Sequence, residues 1–231
     1  TRWHACPACW CCRFADPFAG DVLAACLEFA HHRDTHHMSH FAPVALPHAN
    51  RLINHGPTVL ITSVFGGRRN VMAAAWSMPV EFSPPRVAVV IDKSTFTREL
   101  MTAHGGFGLC VPATAAIDLT YAVGSCSGRE VDKFAQWGIE ATPGPVLGVP
   151  LIEANCLAWM ECRLIREPHT EDAYDTCFAE VVSAAADRRV FANGHWTLND
   201  SNAALRSIHH LGGGLFARAG EGIQAQPLKP A

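Results

Sequence analysis

Long apolar runs, a basic excess and the common nucleotide-loop motifs are all missing from this 231-residue chain. No stretch of about 18 apolar residues occurs, so no transmembrane helix is expected. A net charge of −3 and a pI near 6.5 leave no electrostatic footprint for DNA or RNA. Charged residues make up only 17% against 49% hydrophobic, with mean hydropathy +0.10, which is a core-forming composition and not a disordered one. No Gly-x-Gly-x-x-Gly follows a strand pattern, which argues against a Rossmann site. A Walker loop, a Gly-x-Ser-x-Gly elbow and His-Glu-x-x-His are likewise missing. Internal repeats and heptads are not seen, and one large domain fits the length.

Ten cysteines are present, but they do not read as a disulfide scaffold. Cys6, Cys9, Cys11, Cys12 and Cys26 crowd the start, close to His31, His32, His36 and His37. Such a cluster suggests a metal site or a redox pair at Cys6 and Cys9, yet it lacks a second Cys-x-x-Cys at zinc-finger spacing and no βαβ pattern frames it. Residues 1–37 therefore read as an atypical Cys/His-rich extension outside the core, with Met38 the expected native start and 38–231 one domain. Cys110, Cys126, Cys156, Cys162 and Cys177 lie in apolar stretches, where a free thiol behaves as a small buried hydrophobe. With no convincing signal peptide, a reducing cytoplasm is the expected compartment.

Hydrophobic periodicity predicts a mainly β chain. Strands are expected at 58–64 and 70–76, joined by a tight turn at Phe65-Gly66-Gly67-Arg68 where the glycines supply positive φ. Pro79 and Pro84-Pro85 read as breaks, followed by a buried strand at 86–92. A helix opens near Ser94, the expected N-cap, with Phe96, Leu100 and Met101 as its buried stripe and Gly105-Gly106 as its end. A strand at 107–111 and a helix from Pro112 to Val123, stopped by Gly124, come next. A polar loop from Gly124 leads into a short helix ending near Gly138. Residues 142–150 read as a connector, 156–167 and 177–185 as paired strands, 186–208 as an irregular insertion, and 220–231 as a loose polar end.

Three polar clusters stand on this apolar frame. Asn70 precedes Ala73-Ala74-Ala75, small residues that let a flat ligand approach a strand backbone. Ser94 to Thr97 open a helix, a natural seat for phosphate, with Lys93 or Arg98 near enough in sequence to add charge. Ser127-Gly128-Arg129 offers hydroxyl and N–H donors, and Lys133 a point charge. Each has a plainer reading: a strand packed on its neighbour, a capped surface helix, a solvated lysine.

Taken in order, Thr58-Val-Leu-Ile-Thr-Ser63, Arg69-Asn-Val-Met-Ala-Ala-Ala-Trp76, Ser94-x-x-Thr97-x-x-Leu100 and Ser127-Gly-Arg-x-x-Asp-Lys-Phe134 resemble the flavin reductase-like, FMN-binding split-barrel proteins, and among them flavoredoxin. The resemblance covers roughly 57–185, with a weaker echo in His210-Leu-Gly-Gly-Gly214. It implies a β-barrel with flanking helices, six-stranded, antiparallel and of Greek-key type. It implies a homodimer holding FMN near the subunit interface. Asn70 and Trp76 would then flank the isoalloxazine, with main-chain contacts from Ala73, Ala74 and Ala75, and Met72 and Gly128 would also belong to the cofactor site. Ser94 and Thr97 would lie at the phosphate or ribityl end, and Ser127 and Lys133 would close the site, Lys133 giving electrostatic support. The implied activity passes electrons from NADH or NADPH through FMN to a flavin, an oxygenase or another acceptor protein, with no catalytic side chain, metal, nucleic acid or membrane involved. Two alternatives stay open: a non-enzymatic FMN carrier reduced by a protein donor, and a metal-binding or interaction protein built on residues 1–37. The chain departs from the family at Ala73, where threonine is frequent, at Cys110, where asparagine is usual, and at Tyr174 or Asp175, where histidine is common.

Overall fold

A computed structural model of the chain describes residues 39–228. The readings of the Cys/His cluster and of an extension at 1–37 lie outside the described residues.

Fourteen strands and four helices follow one another along the described chain. They run β1 (Phe41–Pro43), β2 (Val59–Phe65), β3 (Arg68–Ala74), β4 (Ser77–Phe82), β5 (Pro85–Val90), α1 (Phe96–His104), β6 (Gly106–Pro112), α2 (Ile117–Gly124) and α3 (Lys133–Gln136). After these come β7 (Thr142–Pro143), β8 (Pro150–Leu151), β9 (Cys156–Ile165), α4 (Pro168–Tyr174), β10 (Thr176–Asp187), β11 (Phe191–Ala192), β12 (His195–Trp196), β13 (Ile208–Gly212) and β14 (Leu215–Arg218).

The main sheet is wholly antiparallel, ordered β3-β2-β6-β9-β10-β5-β4, with β1 added on β10. The mainly β antiparallel class expected from sequence holds, with two differences. The sheet has eight strands where six were expected, because β1 and β4 also pair. It is also open, with β3 and β4 at its two edges.

Strand alternation divides the core in two. Successive side chains of a strand point to opposite faces. Val59 and Ile61 of β2, with Phe107, Leu109 and Val111 of β6, join one buried cluster. Leu60 and Cys110 point the other way and pack with Val71, Val123 and Phe134, under α2 and α3. This second cluster forms the floor on which the candidate site stands.

Local chemistry sets the boundaries. β2 and β3 turn at Gly66 and Gly67, φ +56° and +77°, the double positive φ of a two-residue hairpin loop. The α1 cap is Thr95, not Ser94: the Thr95 hydroxyl accepts the Arg98 N–H, whereas the Ser94 hydroxyl and N–H both donate to Asp92 Oδ1. α1 ends at Gly105, φ +83°, whose N–H returns to Met101 O. Pro79 reads as a break in sequence, but an edge strand tolerates a residue without an N–H, and β4 forms with an irregular ladder between Pro79 and Glu81. Residues 114–116 form a 3-10 turn before α2, so the helix starts later than Pro112, which ends β6.

Candidate functional site

β3 is an edge strand, so half of its backbone groups have no ladder partner. Lys133, the first residue of α3, takes one of them. Its Nζ donates to Val71 O at 2.9 Å and to Val123 O, at the end of α2, at 2.6 Å. Because Val71 O faces outward, strand alternation places the N–H and C=O of Ala73 on the same open edge. α3 itself is set by Asp132, whose carboxylate accepts the N–H groups of Phe134 and Ala135. Lys133 is 3% exposed, and burial pushes its ammonium below the usual lysine range. Among the described residues no carboxylate lies within ion-pair distance of it.

Two cavities adjoin along this edge. The first, about 370 Å³, is lined by Asn70 and Met72 of β3, Ser94 to Thr97 at the start of α1, and Val123 to Gly128 with Lys133. It is polar, and Lys133 is its one charged lining residue. The second, about 340 Å³, is lined by Ala73, Ala74, Ala75, Thr58, Thr120, Tyr121, His210, Gly213, Gly214 and Phe216. It carries no charged residue. Gly124 and Ser125 belong to both.

In the polar cavity the side chains are already oriented. Asn70 Nδ2 donates to Thr97 Oγ1 at 2.8 Å, so the Thr97 hydroxyl keeps its own proton to give. Asn70 Oδ1 is buried without a hydrogen-bond partner. Gly128 presses against that amide so closely that a Cβ there would stand 2.1 Å from Oδ1. Ser127 Oγ accepts the Arg129 N–H at 3.2 Å and likewise retains its O–H. Arg129 closes the wall: it meets Glu99 at 2.5 Å, reaches Ser94 O at 3.3 Å, and stands 5.3 Å from the centre of the Phe96 ring.

Ten of the eleven residues singled out from sequence line the two cavities, but not in the grouping expected. Met72 and Asn70 belong to the polar cavity with Ser94, Thr97, Ser127, Gly128 and Lys133, while Ala73, Ala74 and Ala75 line the apolar one. Trp76 lines neither; it follows β3 at 73% exposed. The two cations considered for the helix start are occupied elsewhere. Arg98 is buried, donating to Ile91 O at 3.0 Å and pairing with Glu171 at 3.3 Å. Lys93 turns to Asp172 O and Asp175. Cys110 is fully buried under the Ile152 N–H, and burial pushes its thiol up to about 12, so it stands outside the site.

Sequence reasoning missed Thr95, Cys126, Tyr121, His210 and Phe216. Thr95 was hidden by its neighbour Ser94, an equally good cap on residue type. The aromatic trio comes from α2 and the distant β13–β14 hairpin, and only the His210-Leu-Gly-Gly-Gly214 echo hinted at it.

Comparison with known proteins agrees with this geometry. Residues 51–209 match the model of the flavin reductase-like domain. The Escherichia coli protein YddH is 57% identical over 190 residues, covering 81% of this chain and 100% of that protein. The crystal structure of an FMN-binding domain of a flavin reductases-like enzyme from Shewanella baltica superposes with a TM-score of 0.78 at 42% identity, covering 81% of this chain and 98% of that one. Flavoredoxin of Desulfovibrio vulgaris shares the fold at TM-score 0.62 and 23% identity, over 74% of this chain and 90% of that one. The chain belongs to the flavin reductase-like domain family.

Proposed function

We propose that the paired cavities hold FMN, and that the protein is an NAD(P)H-dependent flavin oxidoreductase. The observation that carries this reading is the buried Lys133 ammonium, without a carboxylate, beside a polar cavity that opens onto an apolar one. A buried cation without a counter-ion is costly unless something anionic answers it. A flavin phosphate meets that need, and its ring suits an uncharged cavity walled by small and aromatic residues. The FMN-binding neighbour from Shewanella baltica supports the same assignment.

Each group has a task in this reading. Thr97 and Ser127 donate hydroxyl protons to the phosphate and ribityl end, and the last N–H of Lys133 adds charge. Asn70 is held by Thr97 so that its amide meets a ligand hydroxyl. The open edge of Ala73 supplies an N–H and a C=O to the polar rim of the ring. Tyr121 and Phe216 keep water from its faces. When bound, FMN would supply the redox chemistry, accepting a hydride from NADH or NADPH and passing electrons to a flavin or to an acceptor protein such as an oxygenase. Fixed N–H dipoles of the strand edge near the ring raise its affinity for electrons without any covalent role for a side chain.

We also take 38–231 as one domain and the native state as a homodimer. Trp76, Met78, Val80 and Phe82 lie exposed on the edge strand β4 and its approach, apolar groups that a second copy would cover. No helix among the described residues is long and apolar enough to cross a membrane. The deciding experiment mixes the protein with FMN, desalts it and records its spectrum, then adds NADH or NADPH without oxygen. Retained blue and near-ultraviolet bands that bleach on addition support the proposal. A colourless protein removes the cofactor, and bands that persist remove the NAD(P)H step and leave a carrier reduced by a protein donor.

A further inference from the structure

The hairpin β13–β14 forms a two-stranded sheet of its own, apart from the main sheet, yet it contributes His210, Gly213, Gly214 and Phe216 to the apolar cavity. Its base is held where Arg206 O accepts the N–H and hydroxyl of Thr114 and Ser207 bridges Ala113. Thr58 donates its N–H to Ile208 O at 2.8 Å and accepts the His210 N–H on its hydroxyl at 2.9 Å. Beside them runs a side-chain relay. His55 Nε2 is 3.0 Å from Ser207 Oγ, Ser207 Oγ is 3.5 Å from His209 Nε2, and His209 Nδ1 is 2.9 Å from Gly56 O.

One arrangement of protons satisfies all three contacts with neutral rings. Gly56 O can only accept, so His209 carries its proton on Nδ1 and offers a lone pair at Nε2. Ser207 therefore donates to His209 and accepts from His55 Nε2. His55 is left with a bare Nδ1, which is buried and has no hydrogen-bond partner. A proton added at His209 Nε2 removes the acceptor that Ser207 needs. A proton added at His55 Nδ1 puts a donor where nothing accepts, with the other imidazole 5.8 Å away.

The surroundings keep His55 neutral. Burial first, and His209 second, push its imidazole down to about 4. From β12, Trp196 meets the ring edge-on at 5.5 Å, itself held by Arg51 O at 2.7 Å. The Arg51 guanidinium turns away to Gly194 O, and the His48 ring lies beside Gly194, where a Cβ would meet it. His209 is thus the titratable group facing His55, with Arg51 and His48 the next in reach. No carboxylate pairs with His55 among the described residues.

We infer that His55, Ser207 and His209 form a proton-sensitive latch that positions the β13–β14 hairpin as the roof of the apolar cavity and releases it in acid. Ser207 is its central positioning residue, since its hydroxyl lies within hydrogen-bond distance of both imidazoles. The consequence for ligand rests on the flavin reading: a lifted hairpin withdraws His210 and Phe216 from the ring and lets the cofactor leave. The latch itself rests on the hydrogen-bond geometry alone.

Hydrogen exchange tests it without any ligand. Amide protection across 208–218 is measured on the cofactor-free full chain at about pH 7.5 and about pH 5, corrected for the intrinsic exchange rate. Protection in the parent chain is expected to fall roughly tenfold or more at the lower pH. Ser207→Ala should show the low value at both. The double variant His55→Gln, His209→Gln, whose amides do not titrate, should show no change between the two. A parent hairpin equally protected at both values, or a double variant that opens in acid as the parent does, overturns the latch. Riboflavin, which lacks the phosphate that titrates near pH 6, should lose affinity over the same interval. If the hairpin opens as expected but neither riboflavin nor FMN binds at about pH 7.5, the latch stands and the flavin reading falls.

Discussion

Lys133 has two tasks that a single substitution disturbs together. Its ammonium joins β3 to α2 through Val71 O and Val123 O, and it faces the polar cavity. Hydrogen bonds to charged groups are worth roughly 1.5–3 kcal/mol, so Lys133→Ala should weaken FMN by about ten- to a hundred-fold in a fluorescence titration and also lower the melting temperature. An unchanged affinity would remove Lys133 from the site. Gly128→Ala is the cleaner probe. Its Cβ collides with the buried Asn70 amide while Lys133 keeps both its bonds, so affinity should fall about tenfold or more, with a lower melting temperature as the amide is forced aside. Residue types and order made Asn70, Thr97, Gly128 and Lys133 legible before any coordinates. Their bonding was not, because Lys133 and Val71 are 62 positions apart and nothing local signals that a lysine will end on two carbonyls.

Among the elements, α1 carries a prediction about which of two adjacent hydroxyls matters for the fold. Thr95→Ala removes the cap and should cost about 1 kcal/mol of stability in chemical denaturation. Ser94→Ala breaks only the exposed hydroxyl bond to Asp92, leaving the backbone N–H bond in place, and should cost less. The reverse ranking would contradict the capping geometry. Strands with buried alternation, β2, β5, β6, β9 and β10, could be read from sequence because both faces are apolar or change with period two. β1, β4 and α4 could not. β1 has three residues, β4 contains a proline and presents apolar groups to solvent, and α4 has a proline at its first turn and only Glu171 buried. Their places are decided by partners: β10 for β1, β5 for β4, and the Arg98–Glu171 pair for α4.

For the molecule as a whole, acid should weaken the native state in two stages. His55 sits at about 4 in the fold against 6.5 when unfolded, so the native chain binds fewer protons than the unfolded one between those values. Stability is complete above about pH 6.5 and declines as pH falls toward 4, by up to about 1.4 kcal/mol per unit. Glu171 and Asp187 act lower down. Burial opposes their ionisation, but for Glu171 the Glu167 N–H with Arg166 and Arg98, and for Asp187 the Arg189 side chain and N–H, hold both below their ordinary values. Their contribution is lost as pH falls below the usual carboxylate range. Melting temperature against pH should show the first decline above pH 5, absent in His55→Gln. A flat profile there would contradict the burial of His55. Assembly is a second matter at this scale: Met78→Lys with Phe82→Lys should turn a dimer into a monomer in analytical ultracentrifugation. A parent chain already monomeric would leave the exposed apolar groups of β4 without that role.

The Gly124–Ser125 ledge between the cavities acts as a ruler. A molecule confined to one side grips only one wall, whereas one that crosses it clamps the end of α2, β3 and the terminal hairpin together. Thermal protection should therefore rise more steeply than the sum of parts, with inorganic phosphate and lumiflavin each giving little and FMN giving much. Ligand length, as much as ligand chemistry, is what this cleft measures.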